Sequence, residues 1–267
     1  MDFTGTLNFS SATAQPQIGV PKLIRDARPL FGIHPLENAQ TLLLNDRGFL
    51  LTQAPSSVLD WSDPEEVRDT HYEEARLLAQ RLLPDFDIKP INSHTYRNES
   101  IKEHYWLDGI QYGPCVEFVH NDYADTLSSD QRTIEKSFAE IMGMPTGKRV
   151  IGINIWRSVS NEPLERLPLT VCDRRSIDPN DLQYSLNTEA TTPFNAHYCL
   201  PNEAQRWFYY SQQTTDEALV FTTYDYHPDD GELFKPRHHT AAAKPESDHL
   251  SPRDSMETRI VGESDSK

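Results

Sequence analysis

Apolar residues in this chain fall into short runs broken by turn residues, and two stretches carry a helical period. The first begins at Asp63-Pro64-Glu65-Glu66. Aspartate suits the N-cap, proline suits the first helical position, and Glu66 stands where a capping-box partner belongs. Helical spacing then continues to about Leu83. In the second, Ile134, Phe138, Ile141 and Met142 share one face, after Ser129-Asp130 and before Gly143. Strand-like runs occupy residues 115–120, 149–156, 168–172, 206–211, 218–225 and 256–261. Turn signals separate them, among them Asp178-Pro179-Asn180-Asp181 and Pro228-Asp229-Asp230-Gly231. Between Thr41 and Thr52 two apolar runs flank Asn45-Asp46-Arg47-Gly48, a pattern that predicts a β-hairpin turning at Gly48. Residues 1–26 are polar with little period and read as an irregular lead-in or arm. Residues 27–261 read as one domain and 262–267 as a disordered tail. Two early helices and many punctuated strands predict a mainly β, α+β domain with a jelly-roll, cupin-like core; a doubly wound sheet would need strand–helix alternation throughout.

Composition narrows the class. With 37% hydrophobic and 10% aromatic residues over 267 positions, the chain can bury a sizeable core. Its 19 Pro and 11 Gly are spread along the length, as many short elements require. No apolar stretch reaches the roughly 18 residues of a membrane helix. Met1 to Pro16 lack the basic-then-apolar order of a secretory leader. Three cysteines, Cys115, Cys172 and Cys199, without CxxC spacing fit free thiols in a reducing compartment, so a cytoplasmic location is expected. The charge is acidic, 25 Lys+Arg against 41 Asp+Glu for a net −16. Such a field repels phosphate backbones, which makes nucleic acid a poor partner.

Candidate chemistry starts at His120-Asn121-Asp122, which follows the run Cys115 to Val119. On a strand, residues two apart share a face, so this spacing aims an imidazole and a carboxylate at one point. A second histidine from a neighbouring strand would complete a two-histidine, one-carboxylate facial triad, which leaves positions on iron(II) open for cosubstrate and oxygen. Alone, His-x-Asp is equally the pattern of a polar strand end. The C-terminal part changes that. His238-His239 are followed, with thirteen residues between, by Arg253-Asp254-Ser255. A guanidinium forks onto a carboxylate through two parallel N–H bonds, and a hydroxyl two residues on can add a third. That is the chemistry needed to hold the distal carboxylate of 2-oxoglutarate. Adjacent strand residues face opposite ways, so alternation admits one of His238 and His239 without choosing between them. Tyr105, Trp106 and Tyr112, ahead of His120, with Trp156 and Arg157, are candidate wall residues for a small-molecule substrate. Ordinary packing is the plainer account of each.

Beyond these residues the chain resembles a family of iron(II)/2-oxoglutarate oxygenases. It includes fungal gibberellin desaturase, the aspergillic-acid hydroxylase/desaturase, the meroterpenoid endoperoxidase fumigatonoid synthase and a subunit of bacterial cephamycin 7α-methoxylase. The similar segments span about Ala27 to Val261 and include Asn45 to Phe49, His120 to Tyr123, Ile153 to Arg157, Pro168 to Asp173, Arg206 to Tyr210, Asp216 to Phe221, Tyr224-Asp225 and Pro252 to Arg259. The resemblance implies a double-stranded β-helix dioxygenase of secondary metabolism that oxidises an unactivated C–H bond of a terpenoid or meroterpenoid. It implies Fe(II) as the metal, 2-oxoglutarate and O2 as cosubstrates, and a homodimer in which 1–26 or 174–200 is exchanged. It also maps the second metal histidine onto His239-Thr240-Ala241. Two departures stand beside it: His238 where the family usually has proline, and Ala242 where an aromatic is usual. Both touch the metal's surroundings and leave open whether hydroxylation, desaturation or endoperoxide formation results. A cupin-like metalloenzyme without 2-oxoglutarate and a non-catalytic accessory subunit are the competing readings. Arg253 and Ser255 argue against the first, and retention of all three ligands against the second.

Overall fold

The computed structural model describes residues 1–10, 18–91, 93–127, 134–141, 143–144, 147–187, 194–227, 238–242 and 244–265. Two eight-stranded sheets dominate them, which bears out the mainly β jelly-roll expectation. One sheet runs, in spatial order, Phe3–Phe9, Ile18–Asp26, Trp207–Tyr209, Leu169–Cys172, His239–Ala241, His120–Ala124, Phe194–Cys199 and Leu182–Asn187. The other runs Phe49–Gln53, Glu217–Tyr226, Lys148–Ser158, Asp254–Asp265, His94–Asn98, Ile110–Gly113 and Tyr105–Leu107, with Asp87–Ile88 pairing beside it on Asp254–Asp265.

Strict alternation gives the second sheet two different faces. From Lys148–Ser158 it sends Ile151, Ile153 and Ile155 to one side, where they pack with Leu43, Leu78, Leu82, Val220 and Ile260 in one apolar cluster. That side is covered by the helix Tyr72–Leu82 and the short helix Ala39–Leu44. To the other side it sends Trp156, which packs with Leu219 and Phe221 of its own sheet and with Leu169, Val171 and Phe208 of the first. The central strands are therefore buried on both faces, and 149–156 and 218–225 read as largely apolar runs, which is why they were legible.

Several expectations are corrected. The described parts of 1–26 are no irregular lead-in: Phe3–Phe9 and Ile18–Asp26 pair antiparallel, and Ile24 pairs in parallel with Trp207. Their inward faces carry Gly5, Lys22 and Asp26 beside Leu7, Phe9 and Ile24, and this mixture blunts the period. The stretch 41–52 is not a hairpin, because Ala39–Leu44 is helical and strand follows only at Phe49. Three consecutive leucines have no two-residue period, and Leu43 and Leu44 are buried as a helix face. Gly48 still turns the chain, at φ 83°. The second helix shrinks to Phe138–Ile141, preceded by a strand Ile134–Lys136. Ser137 and Glu140 form a capping box there, with Ser137 N–H donating to Glu140 at 2.8 Å and Glu140 N–H to Ser137 Oγ at 3.1 Å. The expected start at Ser129-Asp130 and the turn at Pro228 to Gly231 lie outside the described residues.

At the first helix Asp63 accepts from the Glu65 and Glu66 amides as expected. Glu66, however, turns back to the amides of Leu59 and Asp60 instead of Asp63. A π-helical turn, Val67–His71, joins this start to the main helix. Of the run 115–120, only His120 is in a strand. Of the expected tail, residues 262–265 continue the last strand: Gly262 pairs with Ile151 and Asp265 with Lys148. No helix among the described residues is long and apolar enough to cross a membrane.

Candidate active site

Neighbouring strands bring the chemistry together. His120 pairs directly with His239 across an antiparallel ladder, and their rings lie 4.3 Å apart. Asp122, two residues beyond His120, shares its face. One ligand atom from each of His120, Asp122 and His239 lies within 4.8 Å of the other two. His120 Nδ1 sits 2.8 Å from the Phe118 carbonyl, a bond that makes Nδ1 the protonated nitrogen and leaves the Nε2 lone pair, 3.7 Å from Asp122 Oδ1, for a metal. Asp122 Oδ2 accepts from Asn154 at 2.8 Å and from Arg259 Nε at 3.2 Å, so its other oxygen is left for coordination. Alternation turns His238 the opposite way: it is fully buried and absent from the cavity lining.

Electrostatics suit ligation. Burial holds the His120 imidazole down to about 4, so it is neutral at physiological pH. Burial disfavours the Asp122 carboxylate, yet Arg259, His239, His120 and the Asn154 amide together hold it well below the usual carboxylate range. Two imidazoles and a carboxylate form a donor set that fits iron(II), with coordination positions to spare.

One cavity holds this cluster together with Arg253 and Trp156. Arg253 is buried at 3% exposure, its guanidinium 4.9 Å from the Trp156 ring centroid, and donates through Nη1 to the Leu167 carbonyl at 2.9 Å. Ser255 does not line the cavity; its hydroxyl accepts from Arg253 Nε at 3.1 Å and orients the arginine. Of the other wall candidates, Tyr112 is buried with Tyr105 stacked on it at 5.0 Å, and Trp106 is 65% exposed on the sheet edge. Arg157 points to the opposite face, where its Nη1 donates to the carbonyls of Ala54 and Thr215. None of these four lines the cavity.

Sequence reasoning missed three residues around the cluster: Glu257, Asn154 and Arg97. Glu257, with Arg259 after it, continues the Arg253-x-Ser255 alternation along the strand, so a longer reading of the same period reaches it. Asn154 and Arg97 come from other strands with no local signal. Arg259 Nη2 meets Glu257 at 2.9 Å, and burial raises the Glu257 carboxyl against the pull of Arg259.

A family model described as an oxidoreductase/YMDC permease-like domain matches residues 12–261. The chain is 27% identical to the alpha-ketoglutarate-dependent dioxygenase phiK of Fungal sp., over 82% of this chain and 78% of that one. It is 31% identical to the hydroxylase/desaturase CTB9 of Cercospora beticola, over 83% of this chain and 72% of that one. Among solved structures, the iron and alpha-ketoglutarate-dependent endoperoxidase NvfI superposes with a TM-score of 0.69 at 20% identity, covering 98% of this chain and 97% of that one. At that identity the superposition shows the shared fold.

Proposed function

The chain belongs to the oxidoreductase/YMDC permease-like domain family, and from that premise we propose that it is an iron(II)- and 2-oxoglutarate-dependent oxygenase of small-molecule secondary metabolism. His120, Asp122 and His239 hold the metal, and Arg253 holds the far carboxylate of 2-oxoglutarate. The observation that carries this reading is the enclosure of a three-ligand cluster and a carboxylate-seeking guanidinium in one cavity. A cupin-like enzyme without 2-oxoglutarate has no use for a buried arginine aimed at the metal's cavity.

When bound, the metal and its cosubstrates supply oxidation of an unactivated C–H bond. The chain's own residues do the rest. His120, fixed in one tautomer by Phe118, and His239 present their imidazoles on adjacent strands. Asn154 and Arg259 keep Asp122 ionised and oriented. Arg253, held by Ser255, Leu167 and the Trp156 face, offers its fork to the cosubstrate. Trp156 and Leu169 supply apolar wall that keeps water from the reacting carbon. The hydroxylase/desaturase activity of the relative CTB9 supports C–H oxidation as the class of reaction. A terpenoid or meroterpenoid is the substrate class we put forward.

Titration with iron(II), alone and then with 2-oxoglutarate, tests the premise, followed by incubation with terpenoids and polyketides while succinate is read by mass spectrometry. Stoichiometric iron binding, iron-dependent 2-oxoglutarate binding and substrate-stimulated succinate release are expected. Iron binding indifferent to His120→Ala and His239→Ala would sink the assignment. So would loss of iron in His238→Ala with retention in His239→Ala.

A further inference from the structure

Five charged side chains line the cavity: Asp122, Glu257, Arg97, Arg253 and Arg259. Arg259 spans both acids, Asp122 at 3.2 Å and Glu257 at 2.9 Å. Three guanidiniums against two carboxylates leave one positive charge in excess. Loading does not remove it, because iron(II) brings two positive charges and 2-oxoglutarate two negative ones.

Register tells the two remaining arginines apart. Ser255 pairs with Arg97 on one side and with Ser158 on the other, so Arg97 enters level with Ser255, one facing position on from Arg253. Their guanidiniums diverge sideways from there. Arg253 lies over Trp156, on the Lys148–Ser158 side. Arg97 leans the other way, toward the sheet edge, where Nη1 meets His104 Nδ1 at 2.8 Å and Nη2 donates to Gln111 Oε1 at 3.0 Å. Both of those partners are neutral acceptors, and no ion pair of Arg97 with a carboxylate occurs among the described residues. A partly buried guanidinium with no carboxylate in direct contact is an arrangement that a ligand carboxylate completes. Burial draws Arg97 down to about 10, with repulsion from Arg259 adding to it and the Glu257 and Asp122 carboxylates opposing.

The edge beyond Arg97 carries an exposed indole. Thr95 pairs with Gln111 and Gln111 with Trp106, so Thr95, Gln111 and Trp106 point to the cavity side of the sheet. Trp106 is 65% exposed there, an indole with no protein covering it. We infer that Arg97 is the substrate-anchoring residue and that the substrate is an apolar small molecule bearing a carboxylate, its acid on Arg97 and its hydrocarbon body between Trp106 and the metal. This rests on the reading of the cavity as an iron and 2-oxoglutarate site.

The test is calorimetric and needs no turnover. Adamantane-1-carboxylate and its neutral isostere adamantane-1-carboxamide are titrated into the full chain held anaerobically with iron(II) and saturating 2-oxoglutarate. The parent protein is expected to bind the carboxylate at least about tenfold more tightly than the amide. Arg97→Gln binds the two within about twofold of each other, while Arg97→Lys, which keeps the charge without the fork, keeps part of the preference. Affinity for 2-oxoglutarate stays at the parent value in both variants. A parent protein that binds the two probes alike, or neither, overturns the inference. So does an Arg97→Lys protein that folds and shows no preference, or an Arg97→Gln protein that loses 2-oxoglutarate as severely as Arg253→Ala, since Arg97 would then belong to the cosubstrate clamp. Failure of the parent to bind iron(II) and 2-oxoglutarate at all would instead bring down the underlying reading, so the two failures are told apart.

Discussion

Asp122 can offer one oxygen outward because the other is committed to Asn154 and Arg259. Partners of this kind orient a ligand and tune its basicity, and their loss typically costs about 10–100-fold in metal affinity. Asn154→Ala is therefore expected to weaken iron(II) binding by that factor, with 2-oxoglutarate affinity unchanged once the metal saturates. Iron titration of the variant checks it, and parent-like affinity would count against the role. At the clamp, Arg253→Ala leaves the cosubstrate's carboxylate without its counter-charge, a loss of about 3–5 kcal/mol, or roughly two to three orders of magnitude in affinity. Ser255 acts through Arg253, so Ser255→Ala alone should cost about tenfold, on the scale of a bond to a charged group. Adding it to Arg253→Ala should cost nothing further, and binding measured across the four proteins of that cycle decides. His120, Asp122 and Arg253 were legible because each sits in a short motif whose spacing is its own explanation. Asn154 was not, since its partner lies 32 residues away on another strand.

Among the elements, the helix capped by Asp63 matters beyond its own length. Through His71, whose Nε2 lies 2.9 Å from Thr258 Oγ1, its N-terminal turn touches the strand that carries the clamp. Asp63→Ala removes the acceptor for two amides and should cost about 1 kcal/mol. For a domain of this size that is a fall of roughly 2–4 °C in Tm, read by thermal melting, with metal affinity preserved. Local cap chemistry made this helix readable from Asp63-Pro64, and the same logic, applied to Ser137-Phe138-Ala139-Glu140, locates the short second helix. What no local rule supplied was the fate of Thr41 to Leu44. Those leucines are equally apolar as strand or helix, and burial against Ile153 and Val220 from distant strands decides it.

For the molecule as a whole, burial of histidines sets the response to acid. Burial holds His94 down to about 4, His197 to about 3 and His71 well below its ordinary value. Each is neutral when folded and charges near pH 6.5 when unfolded, so the unfolded chain binds more protons in the interval and stability falls as pH drops. Between about pH 6.5 and 4 His94 and His197 together should remove up to roughly 3 kcal/mol per pH unit, at about 1.4 for each, and His71 acts in the same direction. Urea unfolding midpoints should hardly move from pH 8 to 7 and then fall steeply below 6; a flat profile down to pH 5 would contradict it. None of this was visible in composition, because nothing in the sequence distinguishes a histidine sealed between strands from one on the surface.

The last strand turns every second residue to one face, so Arg253, Ser255, Glu257 and Arg259 act as marks on a ruler, with Ser255 steadying Arg253 and the other three lining the cavity. Its graduations are about 6.7 Å apart, two residues of extended chain. The anchor on Asp122 and the clamp on the diacid are engraved on that one scale, and the alternate residues Met256 and Ile260, buried in apolar clusters, fix it in place. Moving the clamp by one residue would turn it into the hydrophobic layer, and by two would shift it a full graduation. Diacids one methylene shorter or longer than 2-oxoglutarate, oxaloacetate and 2-oxoadipate, fall between marks, and neither should replace it in an anaerobic binding titration. Evolution of such an enzyme is thus free to vary the walls around the substrate, while the length of the cosubstrate stays quantised by the pleat.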